Sequence, residues 1–268
     1  MKERLSAIAV GLAVVLGLSS CFEAEQTLTL KKDGSGTITE EMMMGPQMVA
    51  MMTLAQTQAP DGAEVNDPMA EMMDEAQYKE KAKGYGEGVE FVKVEKIERD
   101  GGMGVKAHYK FADINKLAFS PGSNLDGLGD DGPDAGDAEE NEPLKFNYAD
   151  GKLTITFPDP PEGESAELKV NDEPVGPEAQ QMMAMFKDMK VGVRMVFEPG
   201  IAKTNASHVD GDSMALMEMN FGEILQNPEG VQVLQKLDMQ DRDKMAAALK
   251  DVKGVKVETK KTVEVTLK

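Results

Sequence analysis

Segments in which apolar and polar residues alternate flank tight turns at three places in this chain. They cover residues 25–39, 89–111 and 144–157, and each is interrupted by a turn that contains Gly and Asp. Because successive side chains of a strand point to opposite faces, the pattern predicts three β-hairpins, each with one buried face. The same alternation predicts further strands, the last two forming a terminal pair: 166–170, 191–197, 213–219, 255–257 and 263–267. The chain is therefore predicted to form mainly antiparallel sheet.

Helical segments separate these hairpins, and their apolar faces consist mainly of methionine. Pro46, Pro68 and Pro177 each stand at the first position of a predicted helix, which proline favours. The methionines that follow recur at helical spacing, and they are Met48, Met51, Met52, Met69, Met72, Met73, Met182 and Met183. Two more helices are expected, at 228–237 and 241–250. This order of elements predicts an α+β fold in which antiparallel sheet carries Met-rich helices on one face.

The order of elements also favours two related halves. A Gly-Pro pair precedes two of the helices and is followed at the same offset by a Met-Met pair, Met51-Met52 in one and Met182-Met183 in the other. This recurrence favours two ββαββ-type units. Residues 121–143 are acidic and contain no basic residue, so they bury too little apolar area to fold. We predict a signal peptide, a first α+β module, a flexible acidic linker or loop and a second α+β module, at 1–20, 21–120, 121–143 and 144–268.

The first 21 residues have the pattern of an export signal. Lys2 and Arg4 precede an apolar run from Leu5 to Leu18, which is shorter than the roughly 20 residues that span a bilayer. The run ends in Leu18, Ser19, Ser20 and Cys21, which is typical of a bacterial lipobox. We predict cleavage before Cys21 and acylation of this only cysteine, for example with palmitate, because two or more acyl chains hold a protein stably at a membrane. The residue after Cys21 is not Asp, which favours the outer membrane in a bacterium with two membranes.

Charge and composition exclude several classes of function. The chain carries 29 Lys and Arg against 48 Asp and Glu, a net charge of −19, so nucleic acid would repel it. One Cys and two His are too few for a structural zinc site or a Cys/His nucleophile pair. His108 lies on the polar face of a predicted strand, and His208 lies near Ser207 and Asp210 without a nucleophile-elbow motif. We expect no enzyme activity, no metal site and no cofactor.

The methionines of the predicted helices allow four interpretations. They can form the packing face between helix and sheet, a surface for lipid or another apolar ligand, a contact for a protein partner, or a thioether site for Cu(I). Packing is the simplest interpretation for any single residue. The adjacent methionines at 46–58 and 68–83, with few large branched residues, suit a groove better than a tightly specified core.

Three features of the chain resemble the LppM-like group of bacterial lipoproteins. They are the lipobox at 18–21, the strand and turn at 28–36, and the segment from Phe197 through Asn205 to Asp212. The resemblance implies an α+β envelope domain that is tethered by lipid and able to bind lipids, and it carries over no functional residue other than Cys21.

Together these observations predict a membrane-tethered envelope lipoprotein that acts as a non-enzymatic binding module for lipid or another apolar ligand. The alternative is a protein-interaction or assembly component of the cell envelope.

Overall fold

Two β-sheets and six α-helices make up the part of the chain that this computed structural model describes, residues 22–58, 68–121, 142–159, 188–235, 237 and 241–268. The strands are β1 (Phe22–Leu30), β2 (Gly36–Met44), β3 (Glu90–Arg99), β4 (Gly102–Phe111), β5 (Lys145–Ala149), β6 (Lys152–Thr156), β7 (Met189–Phe197), β8 (Ile201–Thr204), β9 (Val209–Asp210), β10 (Ser213–Asn220), β11 (Val255–Val257) and β12 (Thr262–Leu267). The helices are α1 (Pro46–Gln58), α2 (Pro68–Met72), α3 (Glu75–Gly84), α4 (Phe221–Leu225), α5 (Pro228–Gln235) and α6 (Arg242–Leu249). The α+β class predicted from the sequence is confirmed.

The three predicted hairpins are present, and their turns have the expected chemistry. β1 pairs with β2, β3 with β4, and β5 with β6, all antiparallel. Asp100-Gly101 and Asp150-Gly151 connect two of them with positive φ at both residues: 52° and 79° in the first, 49° and 74° in the second. Two such residues form the tight turn whose twist matches that of the flanking strands. These local signals therefore placed the hairpins correctly.

The larger sheet has eight strands and draws on both predicted modules. Its order is β11-β10-β7-β1-β2-β4-β3, with β9 paired to β10. β7 lies parallel to β1, from Met189 opposite Phe22 to Phe197 opposite Leu30. The two-module division with a linker at 121–143 stays a prediction, because most of that segment lies outside the described residues.

The smaller sheet corrects the prediction for the end of the chain. Its order is β5-β6-β12-β8, whereas β11 pairs with β10 in the larger sheet, so the last two strands do not pair with each other. Directly after β11, the buried Glu258 carboxylate accepts hydrogen bonds from the Ser207 amide (2.6 Å), the Ser207 hydroxyl (2.9 Å) and the Lys260 amide (3.0 Å). The chain after β11 therefore contacts the segment at Ser207, and β11 and β12 do not form a hairpin.

The main hydrophobic core contains side chains from both sheets and from the C-terminal end of α3. Its largest fully buried members include Tyr109, Phe119, Phe197, Ile155 and Leu28. A second, smaller core joins α4, α5 and α6 to β11. Among the described residues, neither α1 nor α2 contributes to either core. The smaller sheet and α3, rather than the most methionine-rich helices, therefore pack on the buried face of the larger sheet.

The first half has the predicted ββαββ order, with β1 to β4 adjacent in one sheet. In the second half the hairpin β5-β6 lies in the smaller sheet, whereas β7 and β10 lie in the larger one. The predicted strand at 166–170 and helix from Pro177 lie outside the described residues. The strand pairing of the two halves therefore differs.

Candidate functional site: the methionine end of the large sheet

Methionines collect at one end of the larger sheet, on the face that packs inward elsewhere. The last rung across β4, β2, β1 and β7 consists of Met103, Met44, Phe22 and Met189, each opposite the next. The adjacent rung contains Met42, Ala24, Val191 and Met219. We call these two rungs the methionine end. It begins one residue after Cys21.

Local turn geometry brings these strand ends together. The turn after β1 sets Phe22 opposite Met44, and the Asp100-Gly101 turn starts β4 so that Met103 falls beside Met44. Gly104 allows β4 to approach β2 closely, since a Cβ atom at this position would lie 1.9 Å from the Met42 carbonyl oxygen. Only glycine permits so close a backbone approach without rearrangement. The register of the methionines thus depends on two turns and one glycine.

A polar pair separates the methionine end from the main core. Glu40 and Gln26 occupy the next rung, opposite each other on β2 and β1, and both are buried. Gln26 Nε2 donates to Glu40 Oε1 at 3.2 Å and to the Tyr85 hydroxyl at 2.7 Å. Ala24, Met44, Val105 and Val191 lie beyond this pair, are buried, and belong to neither hydrophobic core. Most of the methionine end is therefore separate from both cores, whereas Met219 packs against the smaller core.

The polar pair forms part of a hydrogen-bonded network that joins α3 to the sheet. Glu40 accepts hydrogen bonds from the hydroxyls of Tyr109, at 3.0 Å, and of Tyr85, and the Lys81 ammonium lies 2.8 Å from Glu40. Burial, and secondly the Glu40 charge, raises the pKa of Tyr109 well above the usual value for tyrosine. These contacts join α3 to the sheet, although Gln26 Oε1 is buried without a hydrogen-bond partner among the described residues. We assign the network a structural role.

Helix α1 leaves the sheet at the methionine end and lies against β4. It starts at Pro46, two residues after Met44, and no Asp, Glu, Lys or Arg occurs between Glu41 and Asp61. Met51 is 53% exposed and Leu54 is 57% exposed. Helix α1 therefore presents large apolar side chains and no charged residue.

The methionines that the sequence singled out have intermediate or high exposure where they are described. In α1, Met48 and Met52 are half-buried and Met51 is exposed. Met69, Met72 and Met73 are also half-buried. The helix predicted over 68–83 is two helices, because the Asp74 side chain accepts a hydrogen bond from the Ala76 amide at 2.9 Å and begins α3 as its N-cap. Met182, Met183, Cys21 and the lipobox residues 18–20 lie outside the described residues.

The opposite face of the large sheet carries paired charges. Arg99 contacts Glu23 and Glu41, Lys106 lies 3.2 Å from Glu41, and Arg194 lies 3.3 Å from Glu25. Exposed pairs of this kind contribute little to stability. They make this face polar, and each of these basic side chains has an acidic partner. A cleft over Gly192 on this face is lined by both signs of charge, including Glu25, Glu218, Lys190 and Arg194. Because both signs of charge line the cleft, it favours neither an anionic nor a cationic ligand.

The two histidines lie in ordinary structural contacts. His108 Nε2 lies 2.8 Å from Glu95 on the neighbouring strand, as expected for the polar face of β4. His208 Nε2 lies 3.2 Å from the Val257 carbonyl oxygen. The Ser207 hydroxyl donates to Glu258 and accepts from Lys260 Nζ at 2.7 Å. Among the described residues, no cluster of His, Cys, Asp and Glu could hold a metal ion.

The sequence analysis did not identify Phe22, Met44, Met103, Met189 and Met219 as neighbours at one end of the larger sheet. Each stands in or beside a predicted strand, where its alternation indicates only a buried face. The available signal was the run Met42-Met43-Met44 at the end of a strand, directly before an uncharged helix. Which other strands end beside it depends on sheet order.

Comparison with solved structures gives a weak structural likeness. No protein-family model matches the chain, and no curated protein is similar to it. The NMR structure of the folded domain of Mycobacterium tuberculosis LppM is similar at a TM-score of 0.32 and 10% identity, over 76% of this chain and 85% of that one. A likeness at this TM-score and identity shows no membership of a family. In the described part of the chain, no helix has the length and apolar character needed to cross a bilayer.

Proposed function

We propose that this chain is a lipid-anchored protein of the bacterial envelope whose methionine end and helix α1 bind lipid or a similar apolar ligand. Its role on this proposal is binding rather than catalysis. The lipobox ending at Cys21 supplies the anchor. The observation that carries the proposal is the apolar rung Met103, Met44, Phe22 and Met189, which starts one residue after Cys21 and lies outside both cores.

The chemistry of the surface suits a flexible apolar ligand. Methionine side chains are unbranched and polarisable, so they adapt to ligands of irregular shape. Met51 and Leu54 are each about half exposed. Complete burial of a side chain of this size contributes about 1.5–3 kcal/mol, so covering the exposed parts of both would contribute roughly 2–3 kcal/mol. A ligand that covers α1 is therefore favoured without any charged contact.

Native mass spectrometry of a Cys21→Ser protein produced without residues 1–20 tests the binding function separately from the anchor and from the apolar signal segment. We expect copurifying lipid to appear as a mass adduct. The double variant Met51→Ser/Leu54→Ser should reduce this adduct while leaving the melting temperature close to that of the parent, because both side chains are already exposed. Val92→Ser is the matched control, since Val92 is 52% exposed but lies near the opposite end of the sheet.

Other outcomes would contradict lipid binding. A dimer or a bound protein that depends on Met51 and Leu54, with no lipid adduct, would favour the protein-interaction alternative. Equal adducts in the double variant and the Val92→Ser control would show that the lipid binds elsewhere.

A further inference from the structure

We propose that helix α1 lies in the interface of the same bilayer that holds the acylated Cys21, so that the protein stands on the membrane with its methionine end down. This inference rests on the proposed lipid anchor and names the membrane surface itself as the apolar partner of α1. The anchor alone would leave the orientation of the body free, whereas a second contact through α1 defines it.

The chain path leaves little distance between the anchor and α1. Cys21 immediately precedes Phe22, which is the first residue of β1 and pairs with Met44. α1 begins two residues after Met44. With about 3.8 Å between successive Cα atoms and about 5 Å between paired ones, the start of α1 lies within about 13 Å of Phe22, the residue that follows Cys21 in the chain. An anchor without a linker therefore holds α1 beside the bilayer surface.

Helix α1 suits the interface through its lack of charge and its two exposed apolar side chains rather than through an amphipathic face, because its apolar residues are distributed around the helix. It contains no charged residue, so no ionised group has to leave water when the helix enters the headgroup region. The Thr53 hydroxyl already donates to the Val49 carbonyl at 2.9 Å. Met51 and Leu54 supply the exposed apolar side chains. The net charge of −19 gives no attraction to anionic lipid, so insertion of α1 has to be apolar.

Tethering makes a modest apolar contact sufficient. Once two acyl chains hold Cys21, contact between α1 and the bilayer is an intramolecular event with a high effective concentration. A protein partner would have to be recruited from solution to cover the same helix. The exposed valines near the opposite end of the sheet, Val92 and Val209, are held away from the anchor by the length of the strands.

A single tryptophan provides the test, because the chain contains none. Leu54→Trp places the reporter on α1, Met51→Trp is a second reporter on the same helix, and Val92→Trp is the control near the far end of the sheet. The full acylated protein is reconstituted in phosphatidylcholine vesicles with brominated acyl chains. We expect bromine to lower the emission of the two α1 reporters at least about twofold and to leave that of Val92→Trp nearly unchanged.

The possible failures are distinguishable. Protein that floats with the vesicles but shows equal quenching at Leu54→Trp, Met51→Trp and Val92→Trp overturns the inference and leaves the anchor intact. Protein that does not float, and whose Cys21 carries no acyl mass, overturns the proposed anchor and this inference together.

Discussion

The Lys81 ammonium lies 2.8 Å from the Glu40 carboxylate, so an ion pair joins α3 to the central part of the large sheet. Glu40 is 8% exposed at its side chain and Lys81 is 33% exposed. The same carboxylate accepts hydrogen bonds from Gln26, Tyr85 and Tyr109. Glu40 therefore organises the boundary between the main core and the methionine end.

Replacement of Lys81 should destabilise the protein through its effect on Glu40. Lys81→Met leaves a mostly buried carboxylate without its counter-ion, and we expect a loss of about 1–2 kcal/mol because partial exposure of Lys81 limits the cost. Lys79→Met is the matched control, since Lys79 is 60% exposed and pairs with Glu75 in the same helix. Urea unfolding measures both variants. Equal losses of stability in Lys81→Met and Lys79→Met would show that the buried pair with Glu40 stabilises the protein no more than an exposed pair does.

Stability should fall steeply in alkaline solution because of Tyr109. Burial and the Glu40 charge raise the pKa of Tyr109 in the folded protein, whereas the unfolded tyrosine ionises near pH 10. The stabilisation is thus fully present below about pH 10 and is lost above it at about 1.4 kcal/mol per pH unit.

The test is urea unfolding between about pH 9 and 11. Tyr109→Phe should show a shallower loss of stability than the parent, while Tyr148→Phe, at a partly exposed site, should change the slope less. A slope that is unchanged in Tyr109→Phe would mean that other groups cause the alkaline loss.

Substitution by alanine should destabilise the protein at one strand glycine and have little effect at another. A Cβ at Gly104 would lie 1.9 Å from the Met42 carbonyl oxygen, whereas at Gly192 the nearest atom is Glu25 Cγ at 3.9 Å. We expect Gly104→Ala to cost about 2–4 kcal/mol, because the backbone of β2 or β4 must shift, and Gly192→Ala to stay within about 0.5 kcal/mol of the parent. Melting temperatures of the two variants decide this. A tolerated Gly104→Ala would contradict the close approach at the methionine end.

The anchor prediction concerns residue 21 alone. Cys21→Ser removes the only thiol, so we expect unprocessed precursor or unacylated protein that leaves the membrane fraction. Detergent partitioning and intact mass measure this directly. A processed and acylated Cys21→Ser protein would show that the lipobox interpretation is wrong.

Local sequence was sufficient for the hairpins and for the start of α1. The Asp100-Gly101 and Asp150-Gly151 turns and the proline at position 46 act on their immediate neighbours, and the structure has turns and a helix there. One helix was predicted over 68–83 because the methionine spacing continues through this segment, but the Asp74 side chain caps a new helix there. The aspartate is also a local signal. Wherever a residue acts only on its neighbours, its effect was available from the sequence.

Tertiary structure alone decided which strands lie side by side. The parallel pairing of β1 with β7 joins residues far apart in the chain, and β12 lies between β6 and β8 rather than beside β11. Alternation tells which side chains share a face, but the order of strands follows from how two apolar faces cover each other. Phe22, Met44, Met103 and Met189 become one surface only after that order is set. The sequence determined that each of these side chains is apolar, and the sheet determined that they meet beside residue 21.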